Sequence, residues 1–474
     1  MKVLLVEPPK DFWFIMGQYI PPPFGLLCLA AYVEERLPWA EVEIVDSQSE
    51  GLDWDGLEAR MREAEPDVVA PSGMATANAF YAVRAAEVAK KVNPEAVTVL
   101  GGQHFTALAD ETLRAYPFID YVVRGEGEET FTELLRAVKE GGPAAVPGVS
   151  LRRGEGIHHQ PDRPLIADLD ALPYPAYHKV AEHMGGYYFS LMADQGKPFA
   201  IVEGSRGCRH DCSYCSQWRF WRRCHRHKSP GRIVDEFERL YSEYGSRFFW
   251  FSDDNLGLGE KTREICRGLV ERGLGDEVEW FCQLRVDDVV ENPETVASMR
   301  EAGAVWALVG FDSPSRETLD SFRRTGVDEA RGMKAVELLR SSDVFTQGTF
   351  IIGERGDSHE SIEALRRYAD RLDPDIASFF VLTPFPGTEV YEEAREGGWI
   401  EDDNWANYDM VHAVMPTTHL TREEVQEELY RCYESFFGSW DRRFRGIGSR
   451  NPFTRRTYAY LSKQALLMRL KSLL

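Results

Sequence analysis

Residues 203–218 read EGSRGCRHDCSYCSQW, and this stretch decides how the rest of the chain is interpreted. Cys212 follows Cys208 by four positions and Cys215 follows by three more, so one loop can direct three sulfurs at one point. Thiolates are the natural ligands of iron–sulfur clusters, and ferredoxin-type carriers use four of them. Three ligands leave one iron of a four-iron cluster open to a small molecule. The spacing therefore predicts a [4Fe-4S] cluster that takes part in chemistry.

Zinc is the structural alternative at this place. The same three cysteines with Cys224, His225 or His227 could complete a tetrahedral zinc site. Eight cysteines in 474 residues are too sparse for a disulfide framework, which favours a metal site in a reducing compartment. The other four cysteines lie in helical or strand patterns typical of buried apolar positions: Cys28, Cys266, Cys282 and Cys432.

The cysteine stretch follows the first of six strand–helix units in residues 191–390. Strand patterns such as FFWFSDD, VEWFCQLR and FTQGTFIIG alternate with helical patterns, which predicts a partial (βα)6 barrel. Barrels of parallel strands place their chemistry at the C-terminal strand ends. Mostly polar residues follow these ends here: Ser205, Asp253, Asp254, Arg285, Asp312 and Gly353.

The segment CRHDCSYC, with Tyr214 directly before the last cysteine, resembles the CxxxCxxC signature of the radical S-adenosylmethionine (SAM) superfamily. The resemblance implies that SAM chelates the open iron and is cleaved to a 5′-deoxyadenosyl radical, which removes a hydrogen atom from the substrate. It continues through FFWFSDDNL, GFDSPSRETLDSFRRTG and GTFIIGERGDS. The SAM-binding residues that it implies are Tyr214, Asp253, Asp254, Arg285, Asp312 and Gly353.

These polar residues also have simpler interpretations. An aspartate at a strand end is often a helix cap or an Asx-turn, and Asp253 and Asp254 precede a turn. Asp312 stands where the superfamily usually has glutamate, although the shorter acid can still accept a hydrogen bond. Arg285 could pair with the carboxylate of SAM or with Asp287.

Residues 1–145 alternate short apolar strands with helical patterns, which predicts a doubly wound, Rossmann-like parallel sheet. Ligands bind such sheets at the carboxyl ends of the strands, where glycines let the backbone approach them. The motif GxGxxG is absent, which argues against an NAD site. Residues 146–190 contain prolines and aromatics without a period and predict an ordered linker.

This sheet, placed ahead of the barrel, resembles the cobalamin-binding domain of the cobalamin-dependent radical SAM class. The residues that the resemblance implies are Ser72, Thr76, Gly101, Gly102, His104, Thr106, Gly125 and Glu126. DSQSEG has no histidine where cobalamin mutases have Asp-x-His-x-x-Gly, so we expect a cobalt without a protein histidine below it. His104 is the other candidate ligand, although a lone histidine is more often a hydrogen-bonding residue. The alternative is a flavodoxin-like module that binds another nucleotide or nothing.

The paired resemblance implies methylation of an unactivated carbon on a peptide, a protein side chain or another metabolite. The adenosyl radical would remove a hydrogen atom, methylcobalamin would supply the methyl group, and a second SAM would remethylate cobalt. Cyclisation, ring contraction or carbon–carbon coupling on a tetrapyrrole or lipid is the alternative, and a non-catalytic metal- or cobalamin-binding sensor is a third. An electron donor such as ferredoxin or flavodoxin is expected.

The formal charge of −22 argues against a nucleic-acid partner. Residues 391–474 are predicted to be helical, and nine Lys and Arg from position 439 onward oppose one acid. This basic tail is a solvated helix, or it docks an acidic protein or an anionic membrane surface. The N-terminus does not resemble a signal peptide, and no stretch approaches the roughly 20 apolar residues of a membrane span, so we expect a cytoplasmic protein.

Two further features are open to two interpretations each. The basic stretch QWRFWRRCHRHK (217–228) guides an anionic or protein substrate, or it is a surface loop ion-paired to the acidic body. Trp306, Trp405 and Tyr408 line the substrate cavity, or they are core aromatics, which are commoner.

Overall fold

The computed structural model describes residues 1–10, 19–73, 75–142, 145–154, 156–189, 198–438, 442, 444–449 and 451–472, with the backbone alone for 464–472. Asp441, Arg443 and Arg450 of the basic tail lie outside the described residues. A first α/β unit, a second α/β unit and a group of C-terminal helices follow one another along the chain.

The first unit is built on a seven-stranded sheet and a two-stranded ribbon. Its strands are β1 (Lys2–Glu7), β2 (Tyr19–Ile20), β3 (Glu41–Asp46), β4 (Val68–Pro71), β5 (Val97–Gly101), β6 (Tyr121–Val123), β7 (Val149–Arg153), β8 (Gly156–His159) and β9 (Tyr188–Phe189). The sheet has the order β3-β1-β4-β5-β6-β7-β8, and β2 pairs with β9. The strands from β3 to β6 are parallel, in the order typical of flavodoxin-like doubly wound sheets. The predicted doubly wound fold is confirmed.

Helices cover this sheet because its strands are apolar on both faces. Val3 to Val6 of β1 are each at most 1% exposed, as a continuous apolar strand in a parallel sheet requires. The helices are α1 (Phe24–Arg36), α2 (Trp54–Ala64), α3 (Ala79–Val92), α4 (Gln103–Ala107), α5 (Ala109–Ala115) and α6 (Gly127–Lys139), with a 3₁₀ turn at Thr76–Asn78.

The sheet continues beyond residue 145. Strands β7 and β8 form an antiparallel hairpin on the edge of β6, so the segment that we predicted as an irregular linker contributes regular structure. These strands have only five and four residues, and their exposed positions do not alternate along the strand, so the sequence shows no clear period. A 3₁₀ segment, Tyr177–Gly186, then leads to the barrel. The domain boundaries themselves stay predictions.

The second unit is an open six-stranded parallel barrel, which confirms the predicted partial (βα)6 fold. Its sheet has the order β10 (Phe199–Val202), β13 (Phe248–Phe251), β14 (Glu279–Arg285), β15 (Ala304–Asp312), β16 (Phe345–Ile352) and β17 (Ile376–Val381), with a separate ribbon of β11 (Ser205–Arg206) and β12 (Arg226–His227). Its helices are α7 (Gln217–Phe220), α8 (Pro230–Tyr244), α9 (Glu260–Glu271), α10 (Val286–Glu291), α11 (Pro293–Glu301), α12 (Arg316–Ser321), α13 (Glu329–Ser341), α14 (His359–Leu372) and α15 (Glu389–Glu396).

Tyrosine hydroxyls satisfy backbone groups on both edge strands of the open barrel. The Tyr177 hydroxyl donates to the Ile201 carbonyl (2.9 Å) and accepts from the Ile201 N–H (2.8 Å) on β10. The Tyr433 hydroxyl does the same for Phe379 on β17, at 2.8 and 3.0 Å. Both edges are thus partly blocked against pairing with another chain.

The C-terminal region is helical, as predicted. It contains the 3₁₀ segments Trp405–Asn407 and Arg445–Gly448 and the helices α16 (Arg422–Gly438) and α17 (Pro452–Ser472). Tail arginines form ion pairs within the chain: Arg442 with Asp370 and Asp373, Arg445 with Asp373, and Arg456 with Glu279. These pairs favour an internal role for this part of the tail. Among the described residues, no helix combines the length and hydropathy of a membrane span.

Candidate radical site

The cysteine loop is held by the ribbon of β11 and β12. Ser205 pairs with His227 and Arg206 with Arg226, so the chain returns beside its starting point. Gly207 has a φ of +89°, and a Cβ there would lie 2.1 Å from the Cys224 carbonyl oxygen, so this turn requires glycine. At the other end of the loop, the Cys215 N–H donates to the Cys212 carbonyl at 3.0 Å.

All three cysteines line one cavity of about 600 Å³ inside the barrel. Burial raises the pKa of Cys215 to about 12, so its sulfur becomes a thiolate at neutral pH only when a metal compensates the charge. In the described part of the chain, no group of three or more His, Cys, Asp or Glu is arranged for a single metal ion. A four-iron cluster spaces its ligands more widely, and three thiols on one loop facing one cavity fit it.

The upper part of the cavity lies at the C-terminal ends of the strands and contains four of the six residues predicted to bind SAM. They are Tyr214, Asp254, Arg285 and Asp312. Asp254 lies three residues beyond the end of β13, and Trp250 lines the same cavity from that strand. Burial, followed by the neighbouring Asp253, raises the pKa of Asp254 to about 7.

Asp253 and Gly353 do not line the cavity. Asp253 is 1% exposed, and its carboxylate accepts hydrogen bonds from the Gly204 N–H (2.8 Å) and from the Ser205 hydroxyl. It therefore holds the start of the cluster loop. Gly353 donates its N–H to Asp357 at 2.8 Å, where the chain leaves β16 with a φ of +83°. Direct SAM contacts from these two residues do not fit this geometry, and assignment of the other four stays a prediction.

Arg324 is a cavity residue that the sequence interpretation missed. It forms a buried ion pair with Asp312 and donates to the Gly310 carbonyl at 2.9 Å. The Tyr214 hydroxyl donates to Asp312 at 3.3 Å. Arg285 pairs with Asp287 at 2.9 Å, so the local ion pair that we left open is formed. Arg323 and Arg324 are adjacent in FRRTG, and the sequence does not show which of them is buried. In the structure Arg324 is 8% exposed and Arg323 lies on the surface.

The residues predicted to bind cobalamin cluster at the carboxyl ends of β4, β5 and β6. Gly102 and Gly125 have φ values of +94° and +74°, which favour glycine. Each turn therefore carries no side chain at this position. The Gly125 N–H donates to the Thr106 hydroxyl at 3.0 Å. The Ser72 N–H donates to the Val6 carbonyl at 2.7 Å, which ties the end of β4 to β1. Gly101 ends β5.

His104 is buried beside this edge of the sheet. Its Nδ1 lies 3.4 Å from the Thr76 hydroxyl, and its ring packs edge-on against Phe105 and Trp405 at about 5 Å. Burial lowers the pKa of His104 to about 4, so the ring is neutral at physiological pH. Trp405 therefore covers His104. Of the three aromatics that we considered for the substrate cavity, Trp306 lines the barrel cavity, whereas Trp405 and Tyr408 do not.

Glu126 has a different role from the predicted cobalamin contact. Its carboxylate accepts from Arg206 Nη1 (2.8 Å), Arg226 Nη1 (2.9 Å) and the Ile166 N–H (2.8 Å). Glu128 pairs with the same Arg206 at 2.7 Å. This buried ion network joins the first sheet to the segment just before Cys208.

The basic stretch 217–228 is largely ion-paired. Arg223 pairs with Asp211, Arg226 with Glu126, and Arg222 lies 3.5 Å from Asp162. The geometry favours the interpretation of a surface loop paired to the acidic body.

Comparison with known proteins agrees with both halves of this arrangement. The B12 binding domain model matches residues 16–135, and the radical SAM superfamily model matches residues 202–369. An uncharacterised methyltransferase of Pyrococcus horikoshii is 34% identical over 443 residues, 92% of either chain. The anaerobic magnesium-protoporphyrin IX monomethyl ester cyclase of Cereibacter sphaeroides is 31% identical over 428 residues, covering 89% of this chain and 68% of the cyclase.

A solved structure shows the same architecture over nearly the full length. The radical SAM methyltransferase TsrM of Kitasatospora setae, determined with cobalamin and a [4Fe-4S] cluster, superposes with a TM-score of 0.72 at 17% identity. The match covers 98% of this chain and 99% of TsrM.

Fold and site together define a radical SAM enzyme with a cobalamin-binding domain. The chain belongs to the family of cobalamin-dependent radical SAM enzymes that includes the methyltransferases and the magnesium-protoporphyrin cyclases. Its cofactors are a [4Fe-4S] cluster, SAM and cobalamin.

Proposed function

We propose that this chain methylates an unactivated carbon of its substrate. The contact between the cobalamin domain and the cluster loop carries the proposal. Gln103, directly after Gly101-Gly102, hydrogen-bonds Gln217, and the Ser216 hydroxyl donates to Gln103 at 3.3 Å. Ser216 and Gln217 directly follow Cys215. The glycine-rich edge of the sheet thus lies beside the mouth of the barrel, where a methyl donor and a substrate radical would meet.

The chain's own residues position and shield these groups. When bound, the cluster and SAM supply hydrogen abstraction, and cobalamin supplies the methyl group. Cys208, Cys212 and Cys215 would hold the cluster, while Tyr214 and Asp254 would face SAM. Each turnover would consume two SAM molecules and two electrons, replacing one substrate C–H by C–CH₃ and releasing 5′-deoxyadenosine, methionine and S-adenosylhomocysteine.

The electrons would come from a low-potential donor of the ferredoxin or flavodoxin class. We also propose that the enzyme works in the cytoplasm. All eight cysteines lie among the described residues and none forms a disulfide, as is usual in a reducing compartment.

The test is methyl transfer from labelled SAM. Holoenzyme with all three cofactors, a chemical reductant and trideuteromethyl SAM is incubated with a small-molecule extract. A product carrying the trideuteromethyl group, with 5′-deoxyadenosine and S-adenosylhomocysteine in equal amounts, is expected. Holoenzyme that binds cobalamin but cleaves no SAM would contradict an enzymatic role and favour a sensor.

Cyclisation or coupling is the second candidate, because a relative 31% identical is a magnesium-protoporphyrin cyclase. Such a reaction would release 5′-deoxyadenosine and an altered substrate without S-adenosylhomocysteine and without label. The ratio of the two nucleosides separates the candidates even before the substrate is identified.

A further inference from the structure

The cavity continues below the SAM residues into an apolar chamber, which we call the lower cavity. Its lining is mainly carbon, from Phe189, Trp250, Phe281, Trp306 and Leu308, and the side-chain amides of Gln283 and Gln347 lie level with Leu308. Its aromatic rings pack against one another, with Phe281 and Trp306 centred 4.5 Å apart and Trp250 and Phe281 5.6 Å apart. The volume of about 600 Å³ belongs to the whole cavity, which also holds the cluster cysteines and the SAM residues.

Among the described residues, the charged side chains that line the cavity lie in its upper part: Asp254, Arg285, Asp312 and Arg324. Both arginines are already paired, Arg285 with Asp287 and Arg324 with Asp312. A charged group placed in the lower cavity would find no described counter-ion, and burying an unpaired charge is costly. The lower cavity therefore selects against ionised ligands.

Two indole N–H groups in this chamber are available to a ligand. The indole N–H groups of Trp250 and Trp306 are buried and have no hydrogen-bond partner among the described residues, and both side chains line the cavity. Trp280 directly precedes Phe281 on β14 and does not line the cavity. Its indole N–H instead donates to the Ala302 carbonyl at 2.7 Å. A buried donor without a partner is a group that a ligand acceptor would satisfy.

We propose that the substrate is an uncharged, largely apolar small molecule whose oxygen accepts a hydrogen bond from the indole N–H of Trp250 or Trp306. The proposal rests on the proposed function, because it names the substrate class of that same site. It assigns the apolar skeleton to the lower cavity and leaves the reacting carbon near the upper residues.

The test uses three probes with one skeleton and the holoenzyme with cluster, cobalamin and SAM. 2-Acetylnaphthalene is neutral with an acceptor oxygen, 2-ethylnaphthalene lacks the oxygen, and 2-naphthoate carries a charge. Binding is measured by isothermal titration calorimetry without reductant. We expect the acetyl compound to bind about tenfold more tightly than the ethyl compound and at least about tenfold more tightly than naphthoate.

Matched variants locate the acceptor contact. Trp306→Phe and Trp250→Phe remove one indole N–H each, and at least one should bring the acetyl-to-ethyl preference close to one. Trp280→Phe removes a neighbouring buried indole that does not line the cavity, and it should keep the preference. Two positions are tested so that one poorly folding variant does not decide the result.

The results separate this inference from the proposed function. Naphthoate binding as tightly as the acetyl compound, an unchanged preference in both variants, or no binding of any probe would overturn the substrate class. None of these depends on turnover. Absence of methyl transfer from labelled SAM would overturn the proposed function and leave the probe selectivity standing.

Discussion

The two ends of the barrel are built from the same strands but differ in chemistry. At the C-terminal end, Asp254, Asp312 and Arg324 face the cysteine loop, and Arg206 ties that loop to the first sheet. At the other end, Trp306 and its neighbours form an aromatic cluster closed by Phe453 of α17. Strand alternation decides which residues face inward, and among the described residues charged side chains line the cavity at its C-terminal end only. We therefore expect changes at the first end to affect cofactor chemistry, and changes behind the cavity at the second end, such as at Phe453, to affect stability.

The largest effect is expected from Cys215→Ala. Losing one of three cluster ligands should abolish the cluster and all SAM cleavage, measured as 5′-deoxyadenosine together with iron content. Cys282→Ala, which removes a buried barrel thiol outside the cavity, should keep both. A Cys215→Ala protein that still forms 5′-deoxyadenosine would contradict the three-thiolate assignment.

Arg206→Met should be the most destabilising substitution at the charged end. It leaves Glu126 and Glu128 buried without their shared partner, and breaking a buried pair costs about 3–5 kcal/mol. Denaturant unfolding measures the loss. Arg272→Met, which breaks exposed pairs with Asp235 and Glu238, should cost no more than about 1 kcal/mol. Equal effects of the two would show that the network does not join the domains.

Phe453→Ala tests the aromatic end. The side chain is 0% exposed and its ring centre lies 5.7 Å from that of Phe345, so truncation should cost about 3–5 kcal/mol of unfolding free energy. SAM cleavage per folded molecule should stay within about twofold at low temperature, because no cofactor residue is touched. Tyr430→Ala, at an exposed position of α16, should change stability by less than about 0.5 kcal/mol. Lost cleavage in folded Phe453→Ala protein would show that the two ends are coupled.

The pH dependence of SAM binding tests Asp254. Its pKa is raised to about 7, so the carboxylate becomes anionic as the pH rises through 7 and then accepts a stronger hydrogen bond from the amino group of SAM. Affinity should therefore fall about tenfold between pH 8 and pH 6, one unit on either side of the pKa. Calorimetry on Asp254→Asn measures the pH dependence of affinity that comes from SAM itself. This variant should lack the additional decrease in affinity toward pH 6. Identical pH profiles of SAM affinity for the wild-type protein and Asp254→Asn would show that Asp254 does not contact SAM.

The smallest effect is expected from Arg456→Ala at the aromatic end. Arg456 pairs with Glu279 at 2.8 Å while about a third exposed, so its loss should cost about 0.5–1 kcal/mol, and less at high salt. Arg455→Ala, at an exposed neighbouring position, should be nearly neutral. A larger loss in Arg456→Ala would mean that the tail holds the barrel by more than surface pairing.

Local patterns were enough to predict both α/β units and the cluster cysteines. Apolar runs such as KVLLVE and the spacing of Cys208, Cys212 and Cys215 are properties of adjacent residues. The hairpin of β7 and β8 was missed because its strands are too short to show a clear period.

Contacts between distant residues could not be predicted in this way. Arg206 pairs with Glu126 and Glu128, which lie 80 and 78 positions earlier in the chain. Nothing in the sequence around Arg206 or around the two glutamates indicates this contact. The same holds for Gln103 with Ser216, and for Trp405 covering His104. Side-chain pairing across domains depends on the packing of whole elements, which only the structure supplies.

Electron–nuclear double resonance on the reduced holoenzyme tests most directly whether the three-cysteine loop leaves an iron for SAM. The enzyme is prepared with SAM carrying ¹⁵N at the amino group. A ¹⁵N coupling to the reduced cluster spectrum, absent when SAM is omitted, is predicted. A cluster signal that is identical with and without labelled SAM would contradict the assignment of the charged end of the barrel as the radical site.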